Sequence, residues 1–320
     1  MQQTLKFFYC VFRQLAGVFI LFILPTSAYA DAAAPGTIVV SIKPLYSLVA
    51  HLTEGISKPV LLMKQSQSPH HYNMRPSERR LLAKTKMIIW TGPQMESYLN
   101  KIIKQQASST SIVSAMQAKN LKLLNKRKLH SHEQDEHGSA ADSEKQNMTD
   151  PHIWLSTHNA KAISKHITAL LIRYNPENTE QYNANLDALL SKIEQMKGFI
   201  KTSLKTHDEP FIAYHDAFQY FEDENTLNYI DSINFSDETG ASLKHMQKIK
   251  RLIDEHNIQC LVYQAPKPAI IDAFISQNSI KAVALDPLGM DVDDDKNAWF
   301  EIMQQLTLNF NYCLSSLPSR

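Results

Sequence analysis

Cysteine is scarce: the chain has three in 320 residues, and Cys10 falls within the first thirty. No cysteine follows the N-terminal apolar run, so a lipid anchor has no attachment point there. Cys260 and Cys313 stand too far apart to form the close-spaced couples of structural zinc sites. In an oxidising compartment such an even pair is expected to form a disulfide, with two buried thiols as the alternative. An excess of positive charge is also missing, with 33 Lys and Arg against 32 Asp and Glu. No arginine-rich stripe with interleaved aromatics is present, which excludes the footprint of a nucleic-acid binder. After the N-terminus no apolar run approaches the ~20 residues that span a bilayer. An H-E-x-x-H helix, the signature of one large class of zinc hydrolases, is absent.

What is present begins with an address. Lys6 and Arg13 precede the apolar run AGVFILFILP, and Ala28-Tyr29-Ala30 offers small residues where a signal peptidase reads. A run of about ten residues is too short to cross a membrane. Residues 1–30 therefore read as a cleaved secretory signal, with an uncleaved anchor as the alternative. The mature chain would begin near Asp31 with a formal charge of about −1, since the segment removed holds two cations and no anion. A soluble periplasmic protein without nucleic-acid partners, and a monomer, is the expectation.

Two stretches alternate short apolar runs with helical patterns, the rhythm of an α/β fold with mostly parallel sheets flanked by helices. In the first, TIVVSI (37–42), KPVLLM (58–63) and KMIIWTG (86–92) read as strands, and PSERRLLAKT reads as a helix with Pro76 at its start. After Gln105 the pattern dissolves, and 128–150 is a His- and acid-rich stretch with the composition of a surface loop. From Pro176 a helical stripe continues for ~30 residues, through Tyr182, Leu186, Leu190, Ile193, Met196, Ile200 and Leu204. Such length predicts a helix joining two lobes, with a plain core helix of one larger domain as the alternative. The expected organisation is a lobe over 31–175, a linking helix over 176–206 and a lobe over 207–320. In the second stretch PFIAYHDAF, TLNYIDSI, QCLVYQA and IKAVALDPLG supply strands, and a last helix is predicted to start near Asp293-Asp294-Asp295. Loops at strand ends would face one another across a cleft, where such sheets bind ligands.

Three histidines and one aspartate share that kind of position. His70 lies in SPHHYNMRPS after the second strand, His152 opens PHIWLS, His215 ends a strand in YHDAF, and Asp286 ends another in ALDPLG. Neutral imidazole suits zinc, and three nitrogens leave one position for water or a carboxylate. His51, His158, His166, His207, His245 and His256 fall on predicted helices or their ends and read as solvated surface.

SPHHYNMRPSE, TGPQME, DPHIWLS, YHDAFQYF and ALDPLG, in this order around a long helix, resemble the zinc-binding solute receptors of metal-importing ABC transporters. That cluster of receptors also includes manganese and iron receptors and proteins named adhesins. The resemblance covers essentially the whole mature chain. It implies two α/β lobes, a linking helix and one Zn2+ held in the cleft between lobes, for delivery to a membrane permease with its ATPase. It implies His70, His152 and His215 as ligands. Asp286 would be a fourth ligand, a hydrogen-bond partner of a ligand histidine, or replaced by water. His71 takes the variable place beside the ligand and reads as a bystander. His130, His132 and His137 resemble the metal-rich loop of zinc receptors, which implies a second, weaker site there, with a plain linker as the alternative. Two other readings stand beside the receptor: an exported zinc hydrolase, with Asp286 its candidate base, and a manganese or iron receptor or adhesin of the same cluster.

Overall fold

The structure is a computed structural model that describes residues 37–64, 68–69, 72–106, 108–127, 149–234, 242–278 and 280–315. The chain runs β1 (Ile38–Val40), α1 (Lys43–Leu52), β2 (Val60–Leu61), α2 (Pro76–Lys84), β3 (Met87–Trp90), α3 (Asn100–Lys104) and β4 (Ser111–Ser114). It continues through α4 (Thr157–Tyr174), α5 (Thr179–Leu204), β5 (Phe211–His215), α6 (Gln219–Asn225) and β6 (Tyr229–Asn234). The last elements are α7 (Leu243–His256), β7 (Cys260–Gln264), α8 (Ile270–Asn278), β8 (Lys281–Leu285) and α9 (Ala298–Leu314).

All strand pairs are parallel, in two four-stranded sheets with the orders β2-β1-β3-β4 and β6-β5-β7-β8. Parallel strands are covered on both faces, which is why IVV, MIIW and CLV are continuous apolar runs. Their side chains nevertheless alternate. Ile38, Val40, Met87, Ile89, Phe211, Ala213, Cys260 and Val262 face one core shared by both lobes. Val39 and Ile88 face a separate layer behind the first sheet, and Ile212 and Leu261 face another behind the second.

Local signals set the helix ends. Pro76 opens α2, and Glu78 reaches back to accept the backbone N–H of Arg75 at 2.7 Å. Ser156 caps α4 by accepting the N–H of Asn159 at 3.1 Å. Asn257, with φ +49°, closes α7 in the left-handed conformation that asparagine tolerates. The linking helix α5 has 26 residues, or about 39 Å at the usual rise. It packs against α1 and α4 on one side and α9 on the other. Asn185 on α5 donates to the carbonyl of Leu52, which ends α1, at 3.0 Å and to that of Glu54 just beyond it at 2.9 Å.

Several expectations needed correction. The strand β4 was hidden in a serine- and threonine-rich run of which only Val113 and Ser114 are buried; as an edge strand it needs little apolar sequence. Leu189, not Leu190, completes the buried stripe of α5. The last helix begins at Ala298, because Asp295 accepts the N–H of Asn297 at 2.6 Å and closes a turn ahead of it.

His51 and His245 are not on the surface. His245 Nε2–H donates to the Ser232 carbonyl at 2.7 Å. His51 is 5 % exposed, edge-on to Phe300. Burial, then Lys192 and Lys296, pulls its imidazole down to about 4, against the opposing pull of Glu54 and Asp295. A histidine kept neutral in the fold but free to protonate when unfolded favours unfolding in acid. That penalty is absent above pH ~6.5 and grows to about 3 kcal/mol as pH falls toward 4. His51→Leu should therefore flatten the acid limb of a plot of Tm against pH. An unchanged limb would mean that another group sets it.

Candidate metal centre

The strand order places the switch point of each sheet between its two central strands, and ligands gather at the carboxyl ends there. His215 is the last residue of β5, a central strand. His152 comes from the segment 149–156 that leads into α4. This segment is fastened by the Asn125–Thr149 bridge and by the Asp150 N–H donating to the Leu124 carbonyl at 2.8 Å. Both imidazoles are buried, at 5 % and 7 % exposure, and their ring centres stand 6.0 Å apart at 74°. Two imidazoles on one zinc, each with a nitrogen ~2.0–2.1 Å from the ion, place their ring centres roughly 5–6 Å apart.

Asp150 prepares one of these rings. Its Oδ1 accepts the His152 backbone N–H at 3.0 Å and stands 2.7 Å from His152 Nδ1. A carboxylate at that distance fixes the ring proton on Nδ1, which makes Nε2 the lone-pair nitrogen. The ring of Trp154 flanks the histidine at 5.4 Å, and its Nε1–H donates to the Pro287 carbonyl at 2.8 Å. The His152 segment is thereby tied to the loop that follows β8.

That loop is organised by Asp286. Its carboxylate accepts the backbone N–H groups of Leu288 at 3.1 Å, Gly289 at 2.8 Å, Met290, and Asp291 at 3.4 Å. Both oxygens are thus engaged in folding 287–291. Gly289 has φ +69°, and a Cβ there would stand 2.7 Å from the Ile302 side chain. The loop therefore lies against α9 as only glycine permits. From the other lobe Lys43 donates to the Gly289 carbonyl at 2.5 Å and pairs with Asp294 at 3.0 Å.

His70 and His71 lie outside the described residues, as do His130, His132 and His137. On either side of the doublet Pro69 is buried, and buried Tyr72 donates to Glu78 at 2.7 Å. Of the sequence-derived set, His152 and His215 are brought together, while Asp286 is occupied with its own loop. Among the described residues no group of three metal-ligating side chains gathers.

Sequence reasoning missed the buried charges around these histidines. Arg127 places one guanidinium nitrogen 2.6 Å from Asp216 and another 2.5 Å from Glu222. Burial pushes both carboxyls up, and the Arg127 cation opposes that rise. In the first sheet Glu96 accepts the Ser41 hydroxyl at 2.5 Å, the Thr91 N–H at 3.1 Å and the Gly92 N–H at 3.0 Å. It ties the carboxyl ends of β1 and β3, and burial raises its carboxyl. Asp216 and Glu96 stand inside YHDAF and TGPQME, but nothing in those motifs told a carboxylate that pins a turn from one that binds an ion.

A family model described as "Zinc-uptake complex component A periplasmic" (ZnuA) matches residues 38–313. A Brucella suis protein named "High-affinity zinc uptake system protein ZnuA" is 30 % identical over 306 residues, covering 87 % of this chain and 91 % of its own. A crystal structure of a ZnuA deletion mutant with zinc bound superposes with a TM-score of 0.71 at 21 % identity, covering 89 % of this chain and all of the other. A Pseudomonas aeruginosa solute-binding protein, FpvC, in complex with Mn2+ gives a TM-score of 0.74 at 14 % identity, over 88 % of this chain and 99 % of its own. The last two likenesses speak for the two-lobed fold alone. No helix among the described residues is long and apolar enough to cross a membrane. From the extent of the model match and of the Brucella likeness, the chain belongs to the ZnuA family of periplasmic zinc-uptake components.

Proposed function

We propose that this protein is an exported receptor that captures Zn2+ with His70, His152 and His215 and hands it to the permease and ATPase of an ABC importer. The observation that supports this most is the buried pair of imidazoles 6.0 Å apart, one with its tautomer fixed by a carboxylate. Family membership supports the cargo and the partner. In this reading Asp286 shapes the loop beside the site, and water completes the coordination. Residues 1–30 serve as a cleaved export signal, and the mature receptor acts as a monomer without catalysis.

Zinc titration of metal-stripped protein by calorimetry tests the reading. One tight event is expected, with manganese competing poorly because three imidazoles favour the softer ion. Ligand imidazoles must be neutral, so the affinity should fall steadily as the pH is lowered toward 5. An affinity unchanged down to pH 5 would contradict a site built on three histidines. In the same titration, a second and weaker event that disappears when 128–148 is deleted would assign it to His130, His132 and His137.

A further inference from the structure

The Arg127 cluster has no part in the proposed coordination, yet it touches the supports of both imidazoles. Asp216 directly follows His215, the last residue of β5. The chain turns sharply there, with the Ala217 N–H donating to the His215 carbonyl at 3.0 Å. The Asp216 carboxylate, 7 % exposed, meets Arg127 at 2.6 Å. The other arm of the guanidinium grips Glu222 on α6, and its plane lies 3.7 Å over the ring of Tyr229 on β6.

Arg127 arrives from the first lobe. It ends the segment 122–127, whose other residues are fastened to the same helix. Lys122 pairs with Asp223, and the Leu124 N–H donates to the Tyr220 hydroxyl at 3.1 Å. That hydroxyl donates in turn to the Asp150 carbonyl at 2.8 Å, and the Asp150 carboxylate holds His152. The segment therefore braces one imidazole through Asp150 and the other through Asp216. We infer that Arg127 is a positioning residue of the metal centre, holding His215 through the carboxylate of Asp216. This rests on the zinc-receptor reading given above.

The residue type matters. A planar guanidinium offers two arms that grip two carboxylates at once, which a single ammonium does not. Both carboxylates are buried, so they hold the fork in one place. A turn pinned in this way keeps the ring of His215 near its working position before the ion arrives. The work of positioning supports of this kind is typically worth ~10–100-fold in metal affinity.

The test exploits the two arms. Asp216→Ala cuts the link to His215 but leaves Arg127 paired one-to-one with Glu222, so no buried charge is stranded. Glu222→Gln leaves the Arg127–Asp216 link in place and takes the charge from the other arm. Zinc affinity is measured by competition with a chelator, after circular dichroism shows each variant folded at the assay temperature. The expected result is a loss of roughly 10–100-fold for Asp216→Ala and a clearly smaller loss for Glu222→Gln. Arg127→Met should fall with Asp216→Ala. Equal losses in the Asp216 and Glu222 variants would reveal only a general structural role and overturn the inference, as would wild-type affinity in Asp216→Ala. Failure of the wild-type protein to bind zinc would instead sink the receptor reading itself.

Discussion

His215→Ala should lower zinc affinity by at least ~100-fold while leaving the fold intact. Structural zinc sites yield roughly 10–16 kcal/mol in all, so one ligand of four accounts for about 3 kcal/mol, or more than 100-fold. His152→Ala should lose as much, and for this residue the supporting carboxylate can be tested separately. Asp150→Asn keeps the shape of the side chain but weakens the hold on Nδ1, so a smaller loss of ~10–100-fold is expected. Asp286→Asn separates the two readings of that residue. If its carboxylate serves the 287–291 loop, as its backbone partners indicate, the affinity should fall far less than in His215→Ala. A loss as large as that of His215→Ala would make Asp286 a ligand.

The second large effect concerns stability and leaves the metal alone. Cys260 and Cys313 are joined, with their Cα atoms 5.3 Å apart and a sequence separation of 53. Closing a loop of that size is worth about 4 kcal/mol in the chain-entropy model. Replacing both cysteines by alanine should therefore lower Tm by roughly 6–7 °C in a chain of this length. Cys260 opens β7 and pairs in register with Phe211, four residues before His215. That is roughly 13 Å along the strand, so zinc affinity should stay within about twofold of wild type. A large loss of affinity in the folded double variant would mean that the bridge also shapes the site.

The same distinction between framework and site explains what could be read from the sequence. Runs such as TIVVSI and KMIIWTG declare buried parallel strands because both faces must be apolar, and the helical stripe of α5 declares its length. The ordered motifs single out His152 and His215, whose rings stand 6.0 Å apart in the fold. What stayed hidden depended on partners distant in sequence. Arg127 meets Asp216 across 89 residues, and His51 owes its burial to Phe300 and the packing of α9. Asp286 is expected from its position as a ligand or a support, and its carboxylate accepts backbone N–H groups of its own loop, contacts that residue type does not reveal. SPHHYNMRPS remains an argument from motif, since His70 falls outside the described residues.

Anomalous diffraction at the zinc edge from zinc-loaded crystals tests the central claim most directly. The account predicts one strong peak in the cleft, ~2.0–2.1 Å from Nε2 of His152 and from ring nitrogens of His215 and His70. A peak coordinated elsewhere, with His152 and His215 outside bonding distance, would contradict it.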